Sequence, residues 1–205
     1  MAAFGLQMFF TLLVIVDPIG TVPAFLALAG SRPAAEQRRI AGKAVLVAAG
    51  LMAFFALGGA WLLRHLGISL GAFRVAGGLL LFRIAVAMVF ARHERETAEE
   101  EQEAKTRADI SVFPLAIPLI AGPGTLASVM ILAGEAQTRP LGLAMLLATG
   151  AAVLVLCYFA LRLSRRVGQA LGQTGVNVIT RVFGILLAAL AVQYVADGIR
   201  GLLRT

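Results

Sequence analysis

The sequence holds one cysteine, one tryptophan and few charges, which make up only 14% of its 205 residues. A lone thiol, Cys157, excludes an internal disulfide and leaves no thiolate partner for a metal cluster. It reads as a small apolar helix residue. There are only two histidines, and His65 and His93 sit in or beside loops without a ligand pattern. There is no Walker loop, no G-x-S-x-G and no H-E-x-x-H. No enzyme class, metal or cofactor is therefore indicated, and ATP-driven transport by this chain alone is not expected. The opening MAAFGLQMFF lacks the basic n-region of a cleaved signal peptide, which points to a retained first span.

What the chain does have is apolar surface. Hydrophobic residues make up 60% of it, and the mean hydropathy is +0.89, whereas soluble domains are about half apolar and a quarter charged. Its long apolar runs read as membrane spans, each needing about 20 residues. Six segments qualify, at 4–28, 44–63, 71–91, 112–133, 141–162 and 176–198. The net charge of +7 would fit nucleic acid, but the basic residues flank the apolar segments. The positive-inside rule explains them better, and no nucleic-acid partner is expected. Loops one, three and five hold 11 Lys and Arg against 5 on the opposite side, which makes the odd loops cytoplasmic and puts both termini outside. Trp61 and Tyr194 fall near outer span ends, as belt aromatics do. Loop three, 92–111, carries seven acids. Its Glu101–Lys105 and Glu103–Arg107 pairs suit a solvated helical extension, with a partner-docking segment as the alternative.

Two sequence matches indicate an internal repeat. DPIGT at 17–21 resembles GPGT at 122–125, with Pro18 on Pro123 at an offset of 105. RVAGGLL at 74–80 resembles RVFGILL at 181–187 at an offset of 107. Two independent matches at nearly one offset argue for duplication. Three spans per half force the second half to insert upside down, a recurrent plan of secondary transporters. The expected fold is an all-α polytopic membrane protein. It forms a single membrane domain over 1–205, with repeat 1 at 1–91, an acidic cytoplasmic loop at 92–111 and repeat 2 at 112–205. Six transmembrane helices form two inverted three-helix repeats, with helices 1 and 4 broken at mid-membrane.

The breaks supply the chemistry. Pro is favoured at the first position of a helix, and Asp or Gly can precede it as N-cap. Asp17-Pro18 and Gly122-Pro123 therefore read as starts of second half-helices, whose first-turn N–H groups are unpaired and carry partial positive charge. Asp17 can cap its own helix, whereas Gly122 has no side chain to do so. This asymmetry suits a zwitterion, with its carboxylate at Gly122, Pro123, Gly124 and Thr125 and its ammonium near Asp17, Pro18, Gly20 and Thr21. The bland alternative is that both motifs only kink packed helices, with Asp17 as a cap.

Arg83 lies mid-span at the depth of Asp17, and it either pairs with that acid or meets the substrate carboxylate from a wet cavity. Arg74 and Arg181 occupy matched repeat positions and either snorkel or make symmetric gating contacts. Gly77, Gly78 and Gly184 allow close helix contact, and Asn177, Thr180 and Gln193 suit interhelical hydrogen bonds.

Four stretches, VDPIGTVPAFLAL, RVAGGLLLF, PLAIPLIAGPGTLASVMIL and NVITRVFGILLAALAVQYVADGI, together resemble the MarC family of bacterial inner-membrane proteins. The resemblance covers nearly the whole chain except the acidic loop. It implies six spans with outward termini, kinship with small amino-acid exporters of the LysE type, and transport of small neutral amino acids such as alanine and glycine. It also implies an apolar residue where Arg83 stands.

The leading expectation is a secondary transporter in the bilayer, with H+ or Na+ as coupling ion or with downhill flux, and with oligomeric state, including a homo-oligomer, left open. A channel would need a more continuous polar lining than these spans offer. A non-transporting scaffold or sensor would use loop three as its docking arm.

Overall fold

The computed structural model describes residues 2–90 and 109–203, and among these the chain is helical without strands. Most of loop three, with His93 and the Glu101–Lys105 and Glu103–Arg107 pairs, lies outside the described residues. In chain order the elements are α1 (Ala2–Val16), α2 (Thr21–Ala29), α3 (Ala34–His65), α4 (Leu70–Phe90), α5 (Ser111–Ile120), α6 (Pro123–Ala136), α7 (Gly142–Arg162) and α8 (Ser164–Leu203). Four of them, α3, α4, α7 and α8, are each long and apolar enough to cross a membrane. The bent pairs α1–α2 and α5–α6 raise the count to six if each is one span.

Element boundaries follow the local chemistry, with three corrections to the sequence reading. Helix α3 starts at Ala34, about ten residues before the expected span. Pro33 sits extended in front of it and supplies the start, and Arg32 pairs with Glu36 at 2.6 Å. Loop one is thus mostly a helical extension. Loop five is helical as well, because α8 begins at Ser164 and is interrupted only at Gly172, whose φ of 60° and ψ of 177° suit a residue without Cβ. The third correction is α5, which is not a regular helix. Pro114 and Pro118 remove two backbone donors, and Phe113 and Ile117 before them adopt extended backbone. The segment coils in wide turns, with Leu115 N–H donating to Ile110 O at 3.4 Å and Ala121 N–H to Ala116 O at 2.8 Å. Its entry is pinned from outside the span. Asp109 accepts hydrogen bonds from Lys43 and from the Ser111 hydroxyl and backbone N–H. Lys43 first and Ser111 second hold its carboxyl well below the usual carboxylate range.

Two apolar clusters build the interior. The larger joins α1, α2, α3, α5, α6 and α7 around residues such as Met8, Phe25 and Ile120. The smaller joins α4 and α8 to α1 and α6 through Leu81, Ile131, Leu187 and Tyr194. In lipid, apolar burial does not by itself drive helices together, so close packing must. Helices α4 and α8 approach backbone to backbone: a Cβ on Gly78 would lie 2.8 Å from Ala191 O, and one on Gly198 would lie 2.7 Å from Gly71 O. These pairings run the helices antiparallel and bring the start of α4 beside the end of α8. Arg139 stacks over Phe4, which places the start of α1 and the end of α6 on one face of the bundle, called here the termini face.

Candidate functional site

The first break is built around Asp17. The chain leaves α1 when Asp17 takes φ 42°, a left-handed conformation that Asp tolerates better than most side chains. Pro18 follows without a backbone donor, and regular helix resumes at Thr21. The two arms meet at 43°. The Asp17 carboxylate is buried. One oxygen accepts the Gly20 N–H at 3.0 Å, the capping contact expected of it, and the other accepts the Thr180 hydroxyl of α8 at 3.2 Å. A Cβ on Gly20 would lie 2.0 Å from the carboxylate, so any larger residue there must push the Asp17 side chain aside. The Thr21 hydroxyl donates back to Pro18 O at 2.9 Å and satisfies a carbonyl that the break frees.

The second break has the expected start but no charge. Gly122 is extended at φ −76° and ψ 175°, Pro123 occupies the first helical turn, and no side chain caps the end. The arms meet at 57°. The first-turn N–H groups of α6, including those of Gly124 and Thr125, have no acceptor within the helix. Gly122 is required by the fold of α5, since a Cβ there would lie 2.4 Å from Pro118 O. Gly124 packs under Leu81 and Ile84 of α4, and the Thr125 hydroxyl donates to Ile120 O at 3.1 Å. Both threonines thus spend their proton on a carbonyl of the break, which leaves their oxygens as acceptors.

The family model for MarC family integral membrane proteins matches residues 2–203. This chain belongs to the MarC family. Among its relatives is the UPF0056 membrane protein YvbG of Bacillus subtilis, 38% identical over 98% of this chain and 97% of that protein. The membrane protein YhcE of Escherichia coli is 33% identical over 96% and 92% of the two chains. A UPF0056 membrane protein of Aquifex aeolicus is 38% identical over 100% and 97%. No solved structure matches. MarC-family membership makes the chain an integral, multi-pass membrane protein of a kind that bacteria carry.

The other predicted positions of this MarC-family protein separate. Arg83 is exposed on α4 and Asp17 is held by the Gly20 N–H and the Thr180 hydroxyl, so of the two alternatives for Arg83 the pairing with Asp17 is not the one formed. Arg74 does not snorkel. It is partly buried and pairs with Glu135 of α6 at 2.9 Å, whereas Arg181, at the matching place in the second sequence motif, is exposed on α8. Gly78 and Gly184 serve the α4–α8 contact as expected, while Gly77 faces Ala127 and Ile131 of α6. Asn177 accepts from Gln173 within α8 at 3.1 Å and Gln193 donates to Asp197 of its own helix, whereas Thr180 reaches out of α8 to the break at Asp17. Trp61 is exposed and stacks on His65, as suits a belt residue. Tyr194 corrects the belt expectation. It is 4% exposed, because the Leu187–Ala191–Tyr194 face of α8 turns inward against α4 and α6. Cys157 is buried and free. Among the described residues no group of three or more His, Cys, Asp or Glu could hold a metal ion.

Sequence reasoning missed Glu135, Ser128 and Gln173. The signal was present, since Ser128 and Glu135 are seven residues apart on one helix and share a face.

Proposed function

We propose that this protein is a secondary transporter of small zwitterions, foremost neutral amino acids, working by alternating access around the two helix breaks. The observation that carries the reading is Asp17, a buried carboxylate held in a left-handed backbone position by two hydrogen bonds. A carboxylate accepts about four hydrogen bonds, so capacity remains for an ammonium group. Intramembrane acids are costly and are usually kept for function. The uncapped, positively polarised start of α6 offers the complementary site for a carboxylate.

The inverted-repeat reading is supported by two bends of 43° and 57° at the matched motifs and by the two sequence offsets. In this scheme both termini lie outside the cytoplasm, and H+ or Na+ drives the cycle. The test is uptake by the full chain in proteoliposomes, using labelled glycine, alanine and larger amino acids with H+ or Na+ gradients imposed. Saturable uptake of the small neutral ones, lost in Asp17→Asn, is expected. Folded protein that takes up no amino acid under any gradient would overturn the reading. Unchanged uptake in Asp17→Asn would remove that residue from the site.

A further inference from the structure

The two sequence matches pair α2 with α6 and α4 with α8, so the α2–α8 contact and the α6–α4 contact occupy equivalent places in the two halves. They are not in the same state. Between α2 and α8 lies a crevice of about 300 Å³, lined by Val22, Pro23 and Leu26 on one side and by Arg165, Gln169 and Gln173 on the other. It opens on the face opposite the termini, where Arg165 donates to Gly30 O at 2.9 Å. Polar side chains continue from it along α8. Gln173 bonds Asn177, and one turn later Thr180 bonds Asp17. The crevice lining ends at Val176, and Asn177 and Thr180 carry polar groups on along α8 toward the buried carboxylate.

The equivalent α4–α6 contact is shut. A Cβ on Gly77 would lie 3.2 Å from Ile131 and 3.4 Å from Ala127, and one on Gly134 would lie 2.9 Å from Leu70. The Arg74–Glu135 pair closes its outer end at 2.9 Å. Yet this closed contact is unusually polar inside. Arg74 Nε is buried without a hydrogen-bond partner, and the hydroxyls of Ser128 and Tyr194, on residues 0% and 4% exposed, lie against each other without a well-formed hydrogen bond. Unpaired buried polar groups are rare because each forfeits its hydration. A contact that had only to pack would carry apolar groups there.

We propose that the α4–α6 contact is a closed gate on the termini face, that the α2–α8 crevice is its open counterpart, and that Arg74, Ser128, Glu135 and Tyr194 line the route behind the gate. When the gate opens, Arg74 and Glu135 exchange each other for the carboxylate and the ammonium of a passing zwitterion, and the two hydroxyls face it. The inference rests on the transport reading, but accessibility tests it without any substrate.

The experiment uses the full chain with Cys157→Ala, carrying either Gln173→Cys or Ser128→Cys, in vesicles probed with a membrane-impermeant maleimide from each face. Gln173→Cys should react from the face opposite the termini, and Ser128→Cys from neither. Adding Glu135→Gln should raise the Ser128→Cys rate from the termini face by about tenfold and lower the Gln173→Cys rate, as expected when one state of a two-state equilibrium is weakened. Arg74→Gln should act in the same way and guards against a folding defect of one variant. Static rates in both variants, or both positions reacting at once, would overturn the gate. Gln173→Cys reacting only with a membrane-permeant maleimide would make the crevice lipid-facing and overturn its role. Reciprocal labelling without amino-acid uptake would sink the substrate reading alone, and static labelling with intact uptake would sink the gate alone.

Discussion

At Asp17 the chain bends 43° between two regular helices, and a charged side chain with two hydrogen bonds holds the bend. At Gly122 it bends 57° after a wide coil held by two prolines, and no side chain caps the restart. Both breaks use a proline to end the donor ladder. The first is stabilised by side-chain hydrogen bonds within a compact turn, and the second by backbone packing of the preceding coil. The difference teaches which atoms can move. The neighbour that a methyl at Gly20 would strike is a side chain, while at Gly122 it is a backbone carbonyl.

Substitutions should separate the two. Gly122→Ala must displace the Pro118 carbonyl 2.4 Å away, and a cost of about 3 kcal/mol is expected for such overpacking. Thermal unfolding in detergent should show it as the largest loss of the series. Asp17→Ala removes the cap and leaves a non-glycine residue at positive φ, for about 2 kcal/mol. Asp17→Asn keeps a capping side chain that tolerates this backbone, so its stability should stay within roughly 0.5 kcal/mol while uptake falls. An Asp17→Asn protein as unstable as Asp17→Ala would mean that the charge, not the cap, holds the turn. Gly20→Ala should cost only about 1 kcal/mol, because the Asp17 carboxylate can rotate away. Uptake should nevertheless fall as it does in Asp17→Asn.

A comparably small effect lies at the entry to α5. The Asp109 carboxyl is held low by Lys43 and Ser111, so its contribution is present above the ordinary Asp value of about 3.9 and is lost as pH falls through the depressed folded value. For an exposed pair this amounts to about 0.5 kcal/mol. Melting temperature measured against pH should lose that acid-side slope in Asp109→Asn and keep it in Asp17→Asn. Equal slopes in both variants would remove Asp109 as the anchor of the coil.

Much of the fold was legible because it is local. The spans at 71–91 and 141–162 became α4 and α7 within a residue or so, since apolar length and flanking charge fix where a helix can sit in lipid. The breaks were legible because Pro18 and Pro123 lack a donor wherever they stand. The coil of α5 was equally written in Pro114 and Pro118, but apolar hydropathy masked it. Thr180 as the partner of Asp17 is 163 residues away, and no spacing rule reaches that far. The burial of Tyr194 and the Arg74–Glu135 pair belong to the same class.

By itself the sequence determined a MarC-family membrane protein with helices that stop at Asp17 and Gly122, because donor loss at proline and the cost of charge in lipid act on a few neighbouring residues. Only the tertiary structure decided that Asp17 is held by α8 rather than by Arg83, and that the α4–α6 contact is shut while α2–α8 is open. Those outcomes depend on which helix faces pack, and packing is settled by the close approach of backbones far apart in the chain.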